Sequence, residues 1–207
     1  MEDVPFAAAA AVVCDRINSY LFRMPEWLMR DAQEIRIRIN KPVSVCCHGS
    51  VYFLHKDGAP GRIADKDSIM ASRQDVEETF RRVCGNSVYS HQNEIKHGFI
   101  TVRGGHRVGV CGTAVVSGGE IAALRDISSL NIRIAREIRG CADELLNKIG
   151  EEIKGGLLLA GPPSGGKTTL LRDIARQLSS GFGGKIRKVS VVDERGDSFT
   201  VNPFTWI

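Results

Sequence analysis

The stretch that most constrains this chain is GPPSGGKT, residues 161–168. Gly161, Pro162, Pro163, Ser164, Gly165, Gly166, Lys167 and Thr168 match the pattern G-x-x-x-x-G-K-[ST] at every position. An apolar run, LLLA at 157–160, precedes it and predicts a short buried strand. The following segment, 167–178, places Leu170, Leu171, Ile174, Ala175 and Leu178 on one helical face. Strand, glycine loop and helix in that order make a phosphate cradle. Glycines let the backbone turn its N–H groups inward, and the new helix adds roughly half a positive charge at its N-terminus. Lys167 would reach the β- and γ-phosphates of ATP and the Thr168 hydroxyl would hold Mg²⁺, with Thr169 next to them. A glycine-rich turn carrying a chance lysine is the plainer alternative, and the flanking strand and helix patterns weigh against it.

Composition narrows the setting. With 207 residues and 43% hydrophobic content, the chain can bury one sizeable core or two small ones, and the change of pattern along it favours two. The net charge of +4 is mild and the basic residues are dispersed, so nucleic-acid binding is permitted but not indicated. There is no stacking-aromatic motif of the kind that single-strand binders use. The opening MEDVPFAAAAAVVC carries acids where an export leader needs bases, and no apolar run approaches eighteen residues. A cytoplasmic protein without a membrane span is the expectation. Cys14 is expected as a buried helix cysteine. Six cysteines without a CxxC, and with Cys46 and Cys47 adjacent, point to thiols in a reducing compartment. His48, His55, His91 and His97 have no metal-ligand spacing with them.

The residues before the loop follow another pattern. EIRIRI at 34–39 alternates, with Ile35, Ile37 and Ile39 on one face, which predicts a half-buried strand. VSVCCHG and SVYFLH continue as short strands joined by a tight turn through Gly49 and Ser50. Ser72 and Asp75 form a capping box before a helix with Val76, Phe80 and Val83 as its stripe, ending near Gly85. A second short helix is expected over 88–96. From 98 to 124, apolar runs broken by Gly104-Gly105 and Ser117-Gly118-Gly119 predict an antiparallel meander, in which His106 and Arg107 are expected on a hairpin surface. The fold class is therefore α/β: an N-terminal α+β domain with antiparallel strands over 1–140, a linking helix within 141–154, and the start of a P-loop domain over 155–207.

EIRIRINKPV, HGFITVRGGHRVGVCGTAV, ALRDISSLNIRIAREI, GPPSGGKTTLLRDIAR and KVSVVDERGD, in this order, resemble the stage III sporulation protein AA family of endospore-forming bacteria. The likeness runs to about residue 197. It implies a RecA/AAA-like ATPase related to secretion and pilus motors, a homo-oligomeric ring when full length. It also implies a place in the mother-cell cytoplasm, peripheral to the engulfment membrane, where such a ring would power the channel complex that joins mother cell to forespore. Membrane-bound channel proteins are the implied partners, with no membrane insertion by this chain.

The resemblance also assigns roles beyond the loop. Residues 189–192 predict a second buried strand ending in Asp193 and Glu194. By likeness to secretion ATPases, Glu194 would orient the attacking water and Asp193 would support Mg²⁺ through water. An acidic cap on a strand end is the competing account. Arg125, Arg133 and Arg136 lie where related motors bring N-terminal arginines toward the nucleotide, and a solvated face is the simpler account of them. In the family a further strand, carrying the metal-binding Walker B acid, follows VDER. By that resemblance the P-loop domain is expected to be truncated at 207. Two other functions stay open at this level: an ATPase acting with single-stranded nucleic acid, and an ATP-binding remnant without turnover.

Overall fold

The computed structural model describes residues 4–136, 138–150, 155–162 and 165–192. They form two compact units, Met1–Ala135 and Arg136–Ile207, each with its own apolar cluster.

In the first unit three short helices come first, α1 (Val4–Ala10), α2 (Asp15–Leu21) and α3 (Glu26–Asp31). The strands β1 (Ala32–Arg38), β2 (Ser44–Cys47), β3 (Ser50–Leu54) and β4 (Pro60–Gly61) follow, then α4 (Arg73–Val83), a 3₁₀ turn at Val88–His91 and α5 (Gln92–Lys96). The unit closes with β5 (Phe99–Val102), β6 (His106–Ser117) and β7 (Glu120–Arg133). All pairings are antiparallel, in the order β4-β3-β2-β1-β7-β6-β5. Strand β1 is thus central: Glu34 faces Cys46 on one side and Arg133 on the other.

The alternation that predicts β1 sets the core. Ile35 and Ile37 are fully buried and join Val45, Ile100, Val108, Val110, Leu130 and Ile132 from the other strands. Phe6, Ile17, Leu21, Leu28, Val76 and Val83 from the helices pack into the same cluster. The opposite sheet face carries Glu34, Arg36, Arg38, Arg107, Asn131 and Arg133, all outside the core. Cys14, Cys46, Cys47 and Cys84 are buried, whereas Cys111 and Cys141 are exposed.

The capping box is formed as the sequence predicts. The Ser72 hydroxyl accepts from the Asp75 N–H, and the Asp75 carboxylate accepts from the Ser72 N–H. Asp75 also accepts from Arg16 Nε at 2.8 Å and from the Cys14 thiol, and the Cys14 N–H donates to Thr79 Oγ1. One carboxylate therefore caps α4 and fastens α2 to it.

The hairpin of β6 and β7 outruns its neighbours. Strand β5 pairs with β6 only as far as Gly109, and β1 pairs with β7 only as far as Ser129. Beyond one further hydrogen bond on each side, from the Val110 N–H to the Gly98 carbonyl and from the Ile39 N–H to the Ser128 carbonyl, the two strands pair with each other alone among the described residues, as a ribbon ending in Ser117↔Glu120. Both register shifts in the ribbon put the additional residues on β7: two β6 steps from Cys111 to Thr113 answer four on β7, and Val115 to Val116 answers two. Gly112 is required at the first shift, because a Cβ there would lie 2.5 Å from the Arg125 carbonyl oxygen.

In the second unit, α6 (Asp143–Ile149) and α7 (Lys167–Ser180) pack through Ala142, Leu146 and Ile174, with Leu145, Leu159, Leu170, Leu178 and Phe182 around them. The helix expected as a connector thus contributes to this unit's core.

Several expectations need correction. Residues 157–160 and 189–192 form no strand, and Leu158 and Val192 are 90% and 98% exposed. A strand is held by a ladder partner and, in a parallel sheet, by helices over both faces. No such partner strand lies among this unit's described residues. The tight turn centres on His48 and Gly49, at φ 47° and 75°, and Ser50 is already paired with Cys47. His106 is buried, because the alternation of β6 puts it on the inward face with Val108 and Val110. Leu171 is largely exposed and Asp173 buried, so the inner stripe of α7 includes a charge.

Candidate functional site

The glycine-lysine loop leads into α7. Gly166 is the N-cap residue, in the left-handed region at φ 78° and ψ 5°, where an L side chain would be strained. Having no side chain, it cannot cap the first-turn N–H groups, which have no partner within the helix itself. Just before it, the Gly165 N–H donates to the Pro162 carbonyl at 3.1 Å. The Lys167 ammonium turns back over the loop and donates to the Gly161 carbonyl at 2.8 Å and the Pro162 carbonyl at 2.7 Å. The Lys167 cation thus lies against the carbonyls of Gly161 and Pro162, at the positive end of a fourteen-residue helix.

A buried carboxylate fixes that helix. Asp173 accepts from the Ala142 N–H at 2.9 Å, from Arg176 Nε at 2.9 Å and from Gln177 Nε2 at 3.0 Å. Gln177 Nε2 also donates to Asp143 Oδ1 at 2.6 Å, so α6 is joined to α7 at two points. Burial opposes the charge on Asp173, but the Ala142 N–H, Arg176 and Gln177 outweigh it and hold the carboxyl below its ordinary value. Asp173 is not among the residues that the sequence motifs single out. The Asp173–Arg176 spacing of i, i+3 and the acid's place on the apolar stripe were the available signals.

Of the residues singled out, Gly161, Pro162, Gly165, Gly166, Lys167, Thr168 and Thr169 stand together at this loop and helix start, with Thr168 exposed and Thr169 half-buried. The Thr169 carbonyl accepts from the Cys141 thiol. Pro163, Ser164, Asp193 and Glu194 lie outside the described residues. Arg125 and Arg133 are exposed on β7 in the first unit, opposite Thr113 and Glu34, and Arg136 opens the second unit. Among the described residues no helix is long and apolar enough to cross a membrane.

A family model described as sporulation stage III, protein AA matches residues 12–201. The chain belongs to this family. A member, stage III sporulation protein AA of Bacillus subtilis (strain 168), is 36% identical over 189 residues, which make up 91% of this chain and 57% of that protein. The chain thus spans a little over half the length of the relative. Among solved structures, the ATPase DotB of Legionella pneumophila aligns with 72% of this chain and 38% of its own, at 19% identity and a TM-score of 0.40, a likeness too loose to bear on function. The family's match includes the loop, α7 and the whole seven-stranded sheet, so it takes in most of both units.

Proposed function

We propose that this member of the sporulation family binds Mg-ATP at the start of α7 and that the whole protein hydrolyses it as a ring-forming motor. The single observation that carries the reading is the Gly161–Thr168 motif seated on the N-terminus of α7, with the Lys167 ammonium lying against the loop backbone. The residues present fit the ligand. Gly166 leaves the helix start open, and an ammonium held by two carbonyls can exchange them for phosphate oxygens, which are stronger acceptors. Lys167 would then neutralise the terminal phosphates, while the loop and first-turn N–H groups fix their position. Thr168 would supply the hydroxyl for Mg²⁺, which when bound neutralises phosphate charge. Asp193 would support the metal through water and Glu194 would orient the attacking water, with Arg125, Arg133 or Arg136 as candidates for charge stabilisation. The proposed setting is the mother-cell cytoplasm, with membrane channel proteins as partners.

Lys167→Ala tests the reading. Losing one charged hydrogen-bonding partner should weaken ATP binding by about 1.5–3 kcal/mol, roughly tenfold or more in affinity. Titration calorimetry with Mg-ATP measures it, with the thermal melt showing that the fold is retained. Equal affinity in the variant would remove the loop from nucleotide binding.

A further inference from the structure

Where the β6–β7 ribbon leaves the sheet, it has two edges without a partner strand among the described residues, and they differ in character. The β7 edge is irregular and charged: both register shifts place their additional residues there, Asp126 takes a positive φ of 46°, and Glu120, Arg125 and Asp126 line it. Bulges and charges are the usual means by which a sheet edge refuses another strand. The β6 edge has neither. From Thr113 to Ser117 it reads TAVVS, with no charge, no proline and no additional residue, and Val116 is 63% exposed. Such an edge presents unpaired N–H and C=O groups to any chain that can lie beside it.

The sequence of that edge indicates which chain. Antiparallel pairing of TAVVS with itself about Val115 sets Thr113 opposite Ser117, Ala114 opposite Val116 and Val115 opposite its own copy. Small hydroxyl meets small hydroxyl, apolar meets apolar, and no charge is trapped. A two-fold contact requires this self-complementarity, since residue i must suit j while j suits i. A lipid surface suits the ribbon less well, because the acid Glu120 stands at its tip.

We propose that residues 113–117 of β6 dock antiparallel on the same edge of a second copy, joining two ribbons into a four-stranded sheet centred on Val115. The contact is two-fold, so it is distinct from the head-to-tail contact by which a ring closes.

The test uses the 207-residue chain with Cys111→Ser and Cys141→Ser, which leaves the four buried thiols. Val115→Cys should give a disulfide-linked dimer under mild oxidation, because directly opposed residues lie about 4.5–5.5 Å apart, within disulfide reach. Val116→Cys faces its own copy only diagonally, at about 7–8 Å, and should cross-link about tenfold less. Separately, Val115→Lys should raise the dimer dissociation constant about tenfold by light-scattering mass, through like charges set opposite each other. A chain that is monomeric at every concentration, as it would be if the edge served another protein or a membrane, overturns the proposal. Equal cross-linking at the two positions overturns it too. Should Val115→Lys fail to fold, the cysteine pair decides alone.

Discussion

Asp75→Ala is expected to destabilise the first unit by about 3 kcal/mol, combining a lost helix cap with a broken, largely buried ion pair. The carboxylate's side chain is only 6% exposed, and it serves Ser72, Arg16 and Cys14 together. Arg16 is half exposed and recovers part of its hydration in the variant, which keeps the cost below that of a fully buried pair. A thermal melt should fall by roughly 10 °C for a unit of this size, and an unchanged melt would deny Asp75 its role. A pH dependence accompanies the mutation. Burial works against ionisation of Asp75, but Arg16 and Ser72 prevail and hold its carboxyl well below the usual carboxylate range. Its stabilisation is therefore complete above the unfolded value near pH 4 and is lost as pH falls through the lowered folded value. Asp75→Ala should flatten this acid limb of the stability curve.

Asp173→Ala is expected to loosen the second unit by about 3 kcal/mol, because it strands the buried Ala142 N–H and removes the acceptor of Arg176 and Gln177. Among the described residues the unit's buried apolar cluster is small, Ala142, Leu146 and Ile174, with half-buried apolar side chains around it. Hydrogen exchange is the suitable measurement, because a chain of two units does not melt as one two-state system. Protection should fall in α6 and α7 while β1, β6 and β7 keep theirs. Unchanged exchange in α7 would show that apolar packing alone positions the helix. Asp173 is also held below its ordinary value, so its contribution, too, is present above pH 4 and lost on acidification.

How much of this was legible in the sequence depended on the range of the interaction. The alternation of Ile35 and Ile37, the Ser72–Asp75 box and the helix after Lys167 are local patterns, and each appears in its expected place. The arginine that completes Asp75 is not local: Arg16 lies 59 positions earlier, and no spacing rule connects the two. The adjoining Gly-Gly turn predicts a surface position for His106, whereas the parity of β6 places it among Val108 and Val110. The runs at 157–160 and 189–192 have strand-like composition, but composition supplies no ladder partner. At the candidate site the motif was plain, whereas the Asp173 network that holds its helix was not.

The central position of β1 has a consequence for synthesis. Its two neighbours are β2, made immediately after it, and β7, whose pairing residues emerge about a hundred positions later. At roughly 5–20 residues per second, β1 leaves the ribosome some 5–20 seconds before it can complete its second ladder. During that interval the elements from β2 to β6 are made while the side of β1 meant for β7 has no partner. A pause in translation before residue 120 would prolong the exposure of this edge, and faulty pairing at that stage would trap the chain before the glycine-lysine loop had been made.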